Sequence, residues 1–308
     1  MLAVRRIRGG VSRDWRSHVA VEMHSEIGCE VHSNEELGAL LSSAVRRRTQ
    51  LHCWPLSLVE EIETAAGERW IYKAQRLMPV EPLFYRAVAG RTSVVPAARV
   101  LTDDGVSSTM LLEHLGSPVS IEGLSESAIV TLAREVVSAI GTLPEGLPSH
   151  LDWGSVESWQ SIADWVTDGL ADLVGDGRFT RVSVEDIASL RAWSRSPAVR
   201  AAVAGPTRLT CNDIKFDQVF RRTDGTIAVV DWAIPIVAPG DLDLVGLLDS
   251  AGIDPLGHLE AATFGLYWFR LVHWSVLAKL ELIPDMPELF DVWAALGIDK
   301  VRRADGSV

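Results

Sequence analysis

The chain has 308 residues, 47% hydrophobic and 23% charged, with a formal net charge of -12 and a pI near 5.1. This is the composition of an ordinary globular protein, and its acidity excludes a general nucleic-acid binder, which needs a basic face. The three cysteines, Cys29, Cys53 and Cys211, share no metal-ligand spacing, so neither a zinc site nor a disulfide framework is implied.

No run of eighteen or more apolar residues occurs, so no membrane span is expected. Arg5, Arg6 and Arg8 are not followed by an apolar stretch, so the start does not read as a secretory signal, and the cytoplasm is the expected compartment. The acidity is compatible with a cationic partner, although solubility alone also explains it.

In chain order, residues 1–33 have weak apolar periodicity and read as an N-terminal extension. Asn34 is the expected N-cap of a short helix through Leu37, Leu40, Leu41 and Val45, with Arg46, Arg47 and Arg48 near its C-terminal end. Between Leu51 and Arg76 the period changes to two around Ala65-Ala66-Gly67, which predicts a hairpin with Lys73 inside its second strand. Glu81 and Pro82 then open a helix, since proline is tolerated in a first turn. Val94 to Leu101 and Thr109 to Leu112 are strands around the turn Asp103-Asp104-Gly105, followed by Glu113-His114-Leu115-Gly116.

From Ser125 a helix runs along Ile129, Leu132, Val136, Val137 and Ile140 to Gly141. Trp153, Trp159 and Trp165, with Ile162, Val166, Leu170 and Leu173, predict one or two more helices, and tryptophans at this spacing belong to a core more often than to a pocket. Val184 to Ala192 is a further helix, His258 to Leu282 a long apolar one, and Leu289 to Leu296 the last, before a tail from Arg302 expected to be mobile.

The stretch richest in chemistry is 209–232. Asp213 sits in a polar loop, Val219-Phe220 starts a strand, Asp224-Gly225 is a hairpin turn, and Ile227 to Val230 is an apolar strand ending at Asp231. A carboxylate at the end of a buried strand needs a positive or hydrogen-bonding partner. Two carboxylates with the amide of Gln218 between them suit a hard cation such as Mg²⁺.

Asp213-Ile-Lys-Phe-Asp-Gln218 resembles the catalytic loop of the protein-kinase-like fold, in which a base Asp and a metal-binding Asn stand five apart. Asp231-Trp232 resembles the Asp-Trp of the aminoglycoside phosphotransferase and choline kinase family, and Gly240-Asp241-Leu242-Asp243-Leu244 a segment downstream of it. Val80-Glu-Pro-Leu-Phe-Tyr-Arg and Met110-Leu-Leu-Glu-His-Leu-Gly116 are similar to that family's helix start and hinge.

The resemblance implies a bilobal α+β fold: a small antiparallel-sheet N-lobe over 34–115 and a larger, mainly helical C-lobe over 116–308, which carries the hairpin 209–232. It implies ATP or GTP with Mg²⁺, and transfer of the γ-phosphoryl group to a hydroxyl of a small molecule, aminoglycoside-like or another amino-alcohol or sugar. Asp213 would be the base and Lys215 would neutralise the transferring group. Gln218 and Asp231 would hold the metal. Lys73 would hold the α and β phosphates, aimed by Glu81, while the hinge backbone at Glu113 and Leu115 would meet the nucleotide base. Asp241 and Asp243 would brace the loop.

Three departures keep a second reading open. Cys211-Asn212 replaces the usual His-Gly, Gln218 replaces the metal Asn, and the region Ala44 to Leu58 contains no glycine to let backbone approach phosphate. The alternative is a catalytically silent kinase-like protein that binds a ligand or partner. A helical hydrolase has no supporting motif in the sequence.

Overall fold

The computed structural model describes residues 22–24, 26–286 and 288–306. A short hairpin, β1 (Glu22–His24) and β2 (Cys29–Val31), leads into helix α1 (Asn34–Leu41). Ser33, rather than Asn34, caps this helix: its hydroxyl accepts from the Glu36 N–H while Glu36 accepts from the Ser33 N–H, a reciprocal capping box. The helix ends at Ser42 in the left-handed region, so the three arginines fall outside it.

Arg46, Arg47 and Arg48 lie instead in strand β3 (Val45–Trp54), which pairs antiparallel with β4 (Ser57–Thr64). They meet a ladder of acids on β4: Arg46 and Arg47 reach Glu63 at 3.2 and 3.0 Å, and Arg48 reaches Glu60. Such cross-strand pairs replace the helix-dipole partner expected from the sequence. Strand β5 (Arg69–Arg76), helix α2 (Val80–Val88), and strands β6 (Ala98–Asp103) and β7 (Ser107–Glu113) complete an antiparallel sheet of order β3-β4-β5-β7-β6.

Both faces of this sheet are covered. On one, Leu58, Ile62, Tyr72, Ala74 and Leu111 pack against Ile27, Cys29, Val31 and Leu37. The stretch 27–31, within the segment read as an extension, therefore contributes to this core. The other face carries Lys73, Met110 and Leu112 and turns toward α2 and the rest of the chain.

The remainder is mainly helical: α3 (Glu126–Ile140), β8 (Leu151–Asp152), α4 (Val156–Gly175), α5 (Val184–Ser194), α6 (Pro197–Val203), β9 (Thr207–Thr210), β10 (Val219–Arg221), β11 (Ile227–Val229), β12 (Ile236–Pro239), α7 (Leu242–Ser250), α8 (Ala261–Leu277) and α9 (Leu289–Asp305). The fold is thus α+β and bilobal, a sheet-built part followed by a helical one. Strands β8, β12 and β9 form a small sheet that periodicity does not reveal, because each is four residues or shorter.

Trp153 and Trp159 are fully buried and pack with Phe269, so they belong to the core. The described part of the tail, 302–306, is not free, since Arg302 and Arg303 lie in α9 and pair with Asp186 and Asp254. Among the described residues, no helix is long and apolar enough to cross a membrane.

Candidate active site

Lys73 stands in the middle of β5, and the sheet register carries its neighbours. His52, Val59, Lys73 and Met110 are cross-strand partners in one row, so they share a face. From that face the Lys73 ammonium, 5% exposed, reaches the Glu81 carboxylate of α2 at 2.8 Å and Asp231 Oδ1 at 2.8 Å. A lysine separated from Asp231 by 158 residues is thereby brought against it.

The charges hold one another. Burial pulls the Lys73 ammonium down, but Asp231 and Glu81 outweigh it and keep it above its ordinary value. Lys73 depresses Asp231 against the cost of burial, with smaller contributions from Lys215 and His52. Glu81 is fully buried, and that burial raises it in spite of Lys73.

Asp231 follows β11 and adopts a φ of 67°, which turns its carboxylate out of the strand and leaves it 45% exposed. β10 and β11 pair as predicted, with Val219 opposite Val229. Trp232 folds under the hairpin: its indole N–H donates to the Val229 carbonyl and its ring stacks on Phe84 of α2. That stacking ties the helix bearing Glu81 to the hairpin bearing Asp231.

The loop bearing Asp213 hangs from Asp243 on α7. Asp243 accepts the N–H groups of Cys211 and Asn212, each at 2.9 Å. Its burial nonetheless pushes it up to about 6. Asn212 has a φ of 78°, a left-handed conformation that suits glycine and that asparagine tolerates better than most residues. The amide adds a bond to the Ile234 carbonyl at 3.0 Å. Cys211 fills a buried position beneath the loop with its thiol toward the Asp231 carbonyl, 3.6 Å away.

Asp213 itself is half-exposed and faces two cations. Lys215 approaches to 3.9 Å, and Arg270 of α8 to 3.2 Å. Sequence reasoning missed Arg270. The available signal was that it is the single charged residue in the apolar run Ala261–Leu277.

Gln218 sits beside Asp231, but its two amide ends are already engaged. The oxygen accepts the Lys215 N–H at 2.8 Å and the nitrogen donates to Asp231 Oδ2 at 3.3 Å. Glu113 accepts the Ala97 N–H and pairs with Arg222 of the hairpin, so its side chain braces the strand end. Leu115 is half-buried beside Gly116, whose φ of 85° lets the chain leave the sheet. His114 contacts Glu61 of β4 at 3.2 Å.

The turn joining β3 and β4 is Pro55-Leu56. Leu56 is 1% exposed and packs into the core of the helical part, while the Trp54 ring stacks on Trp293 of α9.

No group of three or more His, Cys, Asp and Glu able to hold a metal occurs among the described residues. Asp231 is 45% exposed, and the Gln218 amide turns its nitrogen rather than its oxygen toward it.

No family model matches the chain, and no curated protein sequence matches it. Solved structures do. A thermostable mutant of aminoglycoside phosphotransferase APH(4)-Ia, in ternary complex with ADP and hygromycin B, matches at 13% identity and a TM-score of 0.56, over 88% of this chain and 98% of that one. A choline/ethanolamine kinase family protein from Mesorhizobium loti matches at 15% identity and a TM-score of 0.60, over 89% and 92%. A macrolide 2'-phosphotransferase type I matches at 14% identity and a TM-score of 0.53, over 86% and 94%. The chain therefore has the bilobal protein-kinase-like fold of the aminoglycoside phosphotransferase and choline kinase structures.

Proposed function

We propose that this protein is an ATP-dependent phosphotransferase that moves a γ-phosphoryl group to a hydroxyl of a small molecule. The observation that carries this reading is the Lys73 ammonium held between Glu81 and Asp231, both at 2.8 Å. Similar structures bind ADP or AMP-PNP together with hygromycin B, which supports a nucleotide and a hydroxylated acceptor sharing the cleft.

In this reading Lys73 meets the α and β phosphates, and Glu81 fixes its direction. The hinge backbone near Glu113 and Leu115 receives the base of ATP or GTP. Asp213 orients the acceptor hydroxyl and receives its proton, and Lys215 balances charge on the transferring group. Asp231, with Gln218 once its oxygen leaves the Lys215 N–H, would hold Mg²⁺. When bound, that ion supplies charge neutralisation of the phosphates. We take the cytoplasm, where ATP is supplied, as its compartment.

The test is Mg²⁺-dependent ADP release over a panel of amino-alcohols, sugars and aminoglycosides. Asp213→Asn is expected to lower turnover on any accepted substrate by roughly a hundredfold or more, the scale of general-base loss. Near-normal turnover would remove Asp213 from the mechanism. A binding-only role is the second reading, favoured by the engaged amide of Gln218 and by the buried Leu56 in the strand turn. Nucleotide binding with no turnover on the panel or on water would select it.

A further inference from the structure

We infer that Arg270 positions Asp213. This rests on the reading of Asp213 as the group that orients the acceptor.

Arg270 is 7% exposed, yet it projects from the middle of an apolar helix. Its Nη1 lies 3.2 Å from Asp213 Oδ1, an ion-pair contact. The guanidinium carbon lies 4.6 Å from the centre of the Tyr267 ring, and Nε is buried without a hydrogen-bond partner. A buried guanidinium is costly to desolvate, so a place in the fold that retains one calls for a specific anion. Asp213 supplies one at 3.2 Å, and Asp243 acts on the same guanidinium.

The charges around Asp213 are mixed. Arg270 feels Asp243 as well as Asp213, and Lys215 acts on Asp231 as well as standing 3.9 Å from Asp213.

In the step concerned, the acceptor oxygen bonds to the γ-phosphorus as the bond from that phosphorus to the β,γ-bridging oxygen breaks. ADP leaves with that electron pair, and the hydroxyl proton passes to Asp213. Water can serve as acceptor, so the role of Arg270 is testable without a known substrate. Mg·ATP hydrolysis would be measured for the wild type, Arg270→Gln, Arg270→Lys, Asp213→Asn and the Arg270→Gln/Asp213→Asn pair. Arg270→Gln is expected to lower kcat about tenfold with the KM for ATP unchanged, and Arg270→Lys to fall between it and the wild type. Added to Asp213→Asn, Arg270→Gln should cost nothing more.

An Arg270→Gln rate within twofold of wild type, or an undiminished effect in the Asp213→Asn background, overturns the inference. If Arg270→Gln does not fold, Arg270→Lys at the full wild-type rate overturns it. A wild type that binds no Mg·ATP sinks the phosphotransferase reading itself, whereas binding and hydrolysis untouched in Arg270→Gln sink only the role of Arg270.

Discussion

At the scale of single residues, the site is a set of substitutions that physical chemistry makes intelligible. Asn212 occupies a left-handed position, so its place in the loop needs no glycine. Gln218 is less well matched. Its longer stem lets the oxygen curl back onto the Lys215 N–H and presents nitrogen to Asp231. Gln218→Asn removes one methylene and is expected to lower the Mg²⁺ concentration giving half-maximal ATP stabilisation by several-fold, since an amide oxygen freed from the Lys215 N–H can serve the ion. An unchanged Mg²⁺ requirement in a thermal-shift titration would show that this amide is not a ligand. Of the residues now found around Asp231 and Asp213, Lys73, Glu81 and Lys215 were legible because the spacing of a resembled motif points to them. Arg270 was not legible, because no local pattern says that a charge inside an apolar helix faces a loop 57 residues earlier.

At the scale of elements, close approach matters more than propensity. Helix α7 passes directly behind the loop of Asp213, and Gly246 makes this possible. A Cβ there would lie 2.6 Å from the Ile214 carbonyl oxygen and 2.9 Å from the Tyr267 hydroxyl. Gly246→Ala is therefore expected to cost roughly 1–3 kcal/mol, the usual scale of overpacking, and to depress hydrolysis as well because Ile214 adjoins Asp213. Chemical denaturation and steady-state assays check the two parts, and a variant as stable and active as wild type would show that the loop yields freely. The same scale explains where the sequence reading failed. Three arginines in a row after an apolar helix resemble a C-terminal cation cluster until the facing acids of β4 are seen. The hairpin 219–229 was legible because Asp224-Gly225 fixes its turn locally. The β8-β12-β9 sheet was not, since its pairing joins segments far apart in sequence.

At the scale of the molecule, the burial of titratable groups makes stability depend on pH. His150 and His273 face each other, and burial lowers both. A histidine neutral in the fold is protonated first in the unfolded chain, so its contribution is present above about pH 6.5 and is lost as the pH falls. For His273, held down to about 3, the loss by pH 5 is roughly 2 kcal/mol. Asp243, raised to about 6, works in the opposite sense over the same range. The comparison that isolates the histidine is wild type against His273→Phe, in which Asp243 is common. The stability difference should shift by about 2 kcal/mol in favour of the variant between pH 7 and pH 5, and a constant difference would refute the assignment.

We read the cleft that gathers Lys73, Glu81 and Asp231 as the site of a metal-bound triphosphate. Thermal unfolding with and without Mg·ATP, in the wild type and in Asp231→Ala, addresses it most directly, because this variant leaves the buried Lys73–Glu81 pair intact. At a ligand concentration about a hundred times Kd, the wild type should gain about 2.7 kcal/mol, only when Mg²⁺ is present, and Asp231→Ala should lose most of that gain. A wild type unmoved by Mg·ATP, or an Asp231→Ala variant stabilised as fully as the wild type, would contradict the account.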